Sequence, residues 1–380
     1  MREKISNYCN VDSDEVISLT DQSSVYRVPL ELEKQGLVKY FIQKFKLHVP
    51  EVPVKSFLLE WRRLADRYDN MDKSVSIALV GKYTKLKDAY ASVNKALEHS
   101  ALACNRKLHI AYIESECLEK KMKSNDPKRY YEAWQELCDA NGLIVPGGFG
   151  DRGVDGKVLA IQYARTKKLP FLGVCLGYQC AVLELCRNVL NMADAESQEA
   201  NREAANPVII EMPEHTNCDL GGTMRVGSRV TNFVLKGSII HRLYKCADQI
   251  NERHRHRYEV NPAVVPALEQ AGMMFVGKDD TGQRMEIMEL IDHPYFVGVQ
   301  FHPEYTSRPL KPSPPYYGLI LAAMNKLNEF LDKQTKIKRR KRSSIKQRRT
   351  LPLKLIMLRS ELCAKRKAIE TYPKKSNCDF

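Results

Sequence analysis

The chain has no apolar run approaching the roughly 18 to 20 residues that a membrane span requires, and its opening, MREKISNYCNVDSDEV, is too polar for a secretory signal. The expected setting is cytoplasmic. Its eleven cysteines contain no CxxC pair, so neither a disulfide framework nor a structural zinc site is expected, and no metal is assigned. GxGxxG after the first strand-like run and GxxxxGKS/T anywhere are both absent, which excludes a dinucleotide fold and a standard phosphate loop. A basic face is missing too. Of the net charge of +14, residues 332–380 account for +13, with 17 Lys or Arg against 4 Asp or Glu. The folded body therefore lacks the cationic surface that nucleic-acid binding needs, and entry into the nucleus or contact with nucleic acid would rest on the tail alone.

With 43% hydrophobic residues in 380, the chain can bury a sizeable core. Residues 1–72 show two stretches of helical spacing, from Leu30 onward and from Phe57 to Met71, separated by LHVPEVPVKS. Neither makes a core by itself, so both should pack on something C-terminal or on a partner. From Ser74 the texture becomes strand then helix in succession: SIALVGKY, DAYASVNKALEHSALACN, KLHIAYIES, PKRYYEAWQELCDAN, GLIVPGG, GKVLAIQYARTKK and PFLGV. Short connections between such units imply a doubly wound α/β fold with a mostly parallel sheet. Residues 191–218 read as polar and irregular, GGTMRVGSRVTNFVL as paired strands that add antiparallel pairing, and YYGLILAAMNKLNEFLDK as one closing helix.

Three stretches carry chemistry. PFLGVCLGYQ runs from an apolar strand through Gly173 and Gly177 into a helix, the layout of a nucleophile elbow with Cys175 in the serine's place. The helix start favours a thiolate. PGGFG at residues 146–150 ends another strand, where bare backbone N–H groups can hold an oxyanion; Gly148 and Leu176 are the candidate donors. GVQFHPE places His302 and Glu304 two residues apart, on one side of an extended chain, as a base and its orienter. ERHRHRY, from Glu252 to Tyr258, reads as a strand whose cationic face meets a carboxylate ligand rather than a metal site.

Together with DLGGTMR, ERHRHRYEVNP and SRPLKPSPPYYG, these stretches resemble the class I (triad) glutamine amidotransferase domain in the form it takes in the CTP synthase family, over about residues 74–330. The resemblance implies a Cys175, His302, Glu304 triad acting on L-glutamine, with Gln179, Glu199 and Arg257 holding its α-amino and α-carboxylate groups. It divides the chain into 1–48, resembling the last part of a synthetase (amidoligase) domain; 49–73, a helical linker; 74–331, the amidotransferase domain; and 332–380, a basic tail expected to be disordered. In that family ATP and Mg2+ act in the synthetase domain, which aminates UTP to CTP, and GTP is the activator. Most of that domain is expected to be missing from this chain, which is therefore expected not to make CTP alone and to hold no cofactor of its own; it is either a truncated isoform or gene copy, or it pairs with full-length subunits, in a homo- or hetero-oligomer, that supply the missing half. The alternative is a non-catalytic regulatory or assembly partner of such subunits. Two departures from the family pattern are Tyr178, where methionine is usual, and ESQEA around Glu199, where NSTEF is usual.

Overall fold

The computed structural model of the protein describes residues 1–48, 54–212 and 224–336. Met1–Lys326 form one compact unit and Leu327–Phe380 a second, of which residues 327–336 are described and helical. The basic run, the Gly221–Gly222 entry and the two prolines of the linker lie outside the described residues. The helices of the first unit are α1 (Arg2–Cys9), α2 (Val28–Lys34), α3 (Leu37–Lys44), α4 (Val54–Asp69), α5 (Ala91–Ala103), α6 (Lys120–Asn125), α7 (Pro127–Asp139), α8 (Val154–Lys167), α9 (Leu176–Asn188), α10 (Ile239–Leu243), α11 (Val265–Gln270) and α12 (Pro314–Ala323). Its strands are β1 (Ser74–Gly81), β2 (Lys107–Glu114), β3 (Gly142–Val145), β4 (Phe171–Val174), β5 (Ala195–Ser197), β6 (Asn206–Glu211), β7 (Arg225–Phe233), β8 (Gln249–His256), β9 (Tyr258–Val260), β10 (Met273–Lys278), β11 (Met285–Leu290) and β12 (Phe296–Val299).

Nine strands make one sheet in the order β2-β1-β3-β4-β12-β11-β10-β7-β8. From β2 to β12 the pairing is parallel; from β12 to β8 it is antiparallel. Strands β3, β4 and β12 are buried at every residue, as a sheet covered on both faces demands. Along β1 the side chains alternate: Ala78 and Val80 join the core formed with α7, α8 and α9, and Ile77 faces the other way, on the side where Leu319 of α12 approaches Gly142. Helix α5 packs against α12, and α8 against α9. The chain thus winds on both faces, and the carboxyl ends of β3, β4 and β12 open onto one crevice.

Several local readings change. The run from Leu30 is two helices because Gly36 adopts φ 79° between them. Residues 191–218 are not wholly irregular: β5 and β6 pair in parallel, and β6 pairs antiparallel with β9, in a second sheet of three strands. Val208 and Ile209 of β6 are fully buried. Within GGTMRVGSRVTNFVL the described residues hold one strand, β7, and not a pair; its partners are β8, the next strand along the chain, and β10. The closing helix is interrupted after Ala323, where Asn325 takes a left-handed φ of 56° and stops it.

The opening segment is held by aromatic contacts. Tyr26, Leu64, Ala65 and Leu102 form a small buried cluster, the Tyr26 ring lies 5.3 Å from that of Tyr68, and its hydroxyl donates to Glu98 of α5 at 2.8 Å. Arg27 pairs with Asp66 and Asp69 at 2.7 Å each. The expectation that residues 1–72 pack on something C-terminal is met here, by α4 docking on α5 with Tyr26 between them.

Candidate active site

Cys175 stands between β4 and α9 with φ 51° and ψ −103°, a conformation that costs a non-glycine residue about 1–3 kcal/mol. The surroundings fix it. Its N–H donates to Val299 of β12 at 2.8 Å, and α9 approaches the end of β3 so closely that a Cβ on Gly177 would lie 1.9 Å from the Val145 carbonyl oxygen. Only glycine allows this approach, and the approach aims the start of α9 at the sulfur. Leu176 is the first residue of that helix, so its N–H is one of those a helix leaves without an internal partner.

His302 reaches the same crevice from the end of β12. Its Nδ1 is 2.8 Å from Glu304 Oε1, and its ring and Cys175 both flank Gly147. The two residues do not share a strand face as the spacing predicts. Strand β12 ends at Val299, and Pro303 starts a 3-10 turn over Pro303–Thr306 that folds Glu304 back onto the ring. Burial opposes charge on His302, but the neighbouring Cys175 and Glu304 outweigh it and push the pKa up to about 11. Glu304 is itself buried, and its second oxygen accepts from Tyr316 Oη at 3.4 Å.

The PGGFG loop closes the third side. A Cβ on Gly147 would lie 2.7 Å from His302 Cε1 and 3.4 Å from Cys175 Cβ, and one on Gly148 would lie 3.4 Å from Leu176 Cδ2. Gly148 and Leu176 are thus neighbours, next to Gly147 and Cys175 along the chain. Lys82 secures the loop by donating from Nζ to the carbonyls of Phe149 and Gly150 at 2.8 and 3.0 Å. Gln179 and Glu199 line one small cleft with Gly150, Leu176 and Ser197. Glu199 Oε1 accepts from Gly150 N–H at 2.7 Å, and Gln179 donates to the Tyr258 carbonyl and to Gln300. Arg257 lies at the bend between β8 and β9, half-buried, its carbonyl accepting from Met212 N–H at 3.1 Å.

Strand β8 alternates strictly. Glu252, His254 and His256 point inward, and Arg253 and Arg255 outward, where the guanidinium groups lie 5.7 Å from the rings of Tyr305 and Phe149. Burial pushes the pKa of His254 down to about 2 and that of His256 to about 3, so both are neutral. Among the described residues, no cluster of three His, Cys, Asp or Glu can hold a metal ion.

The family model "Glutamine amidotransferase class-I" matches residues 85–321, and "CTP synthase N-terminus" matches residues 1–47. The chain belongs to the CTP synthase family. It is 55% identical to CTP synthase 2 of Xenopus laevis over 337 residues, 89% of this chain and 58% of that one. Against CTP synthase 1 of Homo sapiens the identity is 55% over 333 residues, 88% of this chain and 56% of that one. The chain thus spans a little over half the length of these relatives. Among solved structures, the Trypanosoma brucei CTPS glutaminase domain with bound acivicin matches with a TM-score of 0.61 and 40% identity, over 67% of this chain and 95% of that one.

Both departures from the usual CTP synthase pattern have a place in the structure. Tyr178 is fully buried, and its hydroxyl donates to the Met285 carbonyl at 2.8 Å, tying α9 to β11. In ESQEA, Gln198 accepts from Glu211 N–H at 2.8 Å and Ser197 Oγ from Glu199 N–H at 3.2 Å, a turn that leaves Glu199 facing the PGGFG loop. Sequence reasoning missed Gln300, Tyr316 and Lys82. Gln300 had a signal, since it sits inside GVQFHPE two residues before His302. Nothing in the sequence separates Tyr316 from the other tyrosines.

Proposed function

We propose that the chain hydrolyses the side-chain amide of L-glutamine to glutamate and ammonia. The supporting observation is the meeting of a strained Cys175 with the His302 and Glu304 pair at the ends of β4 and β12. Cys175 Sγ attacks the amide carbon, and the oxyanion is held by the N–H groups of Gly148 and Leu176. His302 gives its proton to the departing nitrogen as the C–N bond breaks, leaving a glutamyl thioester and ammonia. It then takes a proton from water, whose oxygen displaces the sulfur. Glu304 keeps the imidazole oriented throughout. Both amide hydrogens of Gln179 are already donated within the protein, so it can offer a ligand only its oxygen. That suits, with Glu199, the substrate ammonium, and Arg257 suits its carboxylate.

Amination of UTP to CTP is assigned to a full-length CTP synthase subunit with which this chain would assemble. The ATP- and Mg2+-dependent chemistry and activation by GTP would belong to that complex. The test is glutamate release from glutamine by the purified chain, with and without GTP and a full-length partner. Cys175→Ala should lower the rate at least 1,000-fold; hydrolysis surviving that change would overturn the mechanism. Stable co-purification with a full-length subunit, without hydrolysis in either state, would favour the non-catalytic assembly reading instead.

A further inference from the structure

Gln300 lies between the last residue of β12 and His302, is 1% exposed, and donates its backbone N–H to the Glu286 carbonyl at 2.9 Å. Its side-chain nitrogen is 3.7 Å from Cys175 Sγ, and its side-chain oxygen accepts from Gln179 Nε2 at 3.2 Å. Gln179 Nε2 also donates to the Tyr258 carbonyl at 2.9 Å. This chain of contacts fixes which way both amides point. A carbonyl only accepts, so the Tyr258 oxygen demands the nitrogen of Gln179; the second hydrogen on that nitrogen demands the oxygen of Gln300; the Gln300 nitrogen is left facing the sulfur. The Arg255 carbonyl also lies near Sγ, at 3.8 Å. As an acceptor it suits the neutral thiol and disfavours the thiolate.

We propose that Gln300 is a further catalytic residue, whose amide N–H supports the Cys175 thiolate, and that Gln179 is a positioning residue that keeps that amide from turning over. The proposal rests on Cys175 being the nucleophile. A donor at the sulfur matters when the thioester is hydrolysed: the C–S bond breaks, sulfur keeps the electron pair, and the proton of the attacking water goes to His302. The negative charge returning to Sγ then meets the N–H of Gln300 on one side and the imidazolium on the other.

The test needs no glutamine, which separates this role from substrate binding. Alkylation by iodoacetamide is followed residue by residue by mass spectrometry on the full chain between pH 5 and 9, with exposed Cys9 as internal control. Gln300→Met and Gln300→Glu should each slow Cys175 alkylation about tenfold at pH 7 and displace its pH profile upward, with Cys9 unchanged. Gln179→Met should move the profile in the same direction by a smaller factor, about threefold, because Gln300 is then free to present its oxygen. If Gln300→Met loses its cooperative thermal transition, the Gln300→Glu and Gln179→Met arms decide. Profiles of these variants superimposing on that of the unsubstituted chain would overturn the proposal. Cys175 no more reactive than Cys9 in the unsubstituted chain would overturn the nucleophile reading itself, and this role with it.

Discussion

In the sheet region β3, β4 and β12 are buried at every residue, whereas in residues 1–69 the buried hydrophobic side chains described are Val16, Tyr26, Leu64 and Ala65. Helices α1, α2 and α3 bury none of theirs, and Val38, Phe41 and Phe45 are exposed at helical spacing. One region therefore has packing to spare for holding a strained cysteine and several buried charges; the other depends on what it leans against. The contrast predicts that changes in the first region register as lost chemistry or global stability, and changes in the second as local opening.

The first effect comes where packing and chemistry coincide. Gly147→Ala sets a methyl group 2.7 Å from His302 Cε1, and the imidazole must shift by several tenths of an ångström. Glutamine hydrolysis should fall about 100-fold while the thermal midpoint changes little. A variant with full activity would show that His302 is not where the reaction needs it. Next is Glu184, fully buried on α9 and gripped by Arg165 of α8 through Nε and Nη2 at 2.8 Å. Glu184→Leu strands that guanidinium and should cost about 4 kcal/mol in denaturant unfolding. A loss under 1 kcal/mol would mean that this region is less rigid than the contrast requires.

Glu252 tests the same region by pH. Burial is the main cause that raises its pKa from 4.5 to about 7, against hydrogen bonds from Tyr244 and Thr306, with Glu304 adding repulsion. A carboxyl whose folded pKa is raised binds more protons folded than unfolded, so stability falls as pH rises. The penalty is absent below about pH 4.5 and complete above about pH 7, where it amounts to about 3 kcal/mol. Glu252→Gln keeps an acceptor for Tyr244 without the charge, so its advantage over the unsubstituted chain should grow between pH 4.5 and 8. His254 and His256 act with the opposite sign, because their depressed pKa values contribute stability that is lost as pH falls below about 6.5. Measuring the difference between variant and unsubstituted chain cancels their contribution.

What could be read from the sequence follows the same division. The parallel half of the sheet was legible because each of its strands is a short apolar run ending at glycines or a turn, and the elbow because Gly173 and Gly177 bracket Cys175. The pairing of His302 with Glu304 was legible for the wrong reason: a strand was assumed, and the turn at Pro303 supplies the contact. β5 and β6 were not legible, since β6 takes its register from β9, some fifty residues away, and β5 from β6, rather than from alternation of their own. The role of Gln300 depends on Gln179 and Tyr258, which no local pattern connects to it.

The smallest effect belongs to the opening segment and decides whether it is a separate cooperative unit. Tyr26→Phe keeps the ring against Trp61 and Tyr68, at 6.1 and 5.3 Å between centroids, and removes only the hydroxyl that donates to Glu98. Glu98 retains Lys95 at 2.7 Å, so the loss should be about 1 kcal/mol. Where that loss falls is the informative part. If residues 1–72 open on their own, limited proteolysis and amide exchange in α1 to α4 should accelerate about fivefold, with exchange in β3, β4 and β12 unchanged, because those strands report only global unfolding. If exchange accelerates equally in both regions, the Tyr26 contact belongs to the cooperative core, and the opening helices are as much a part of it as the sheet that holds Cys175.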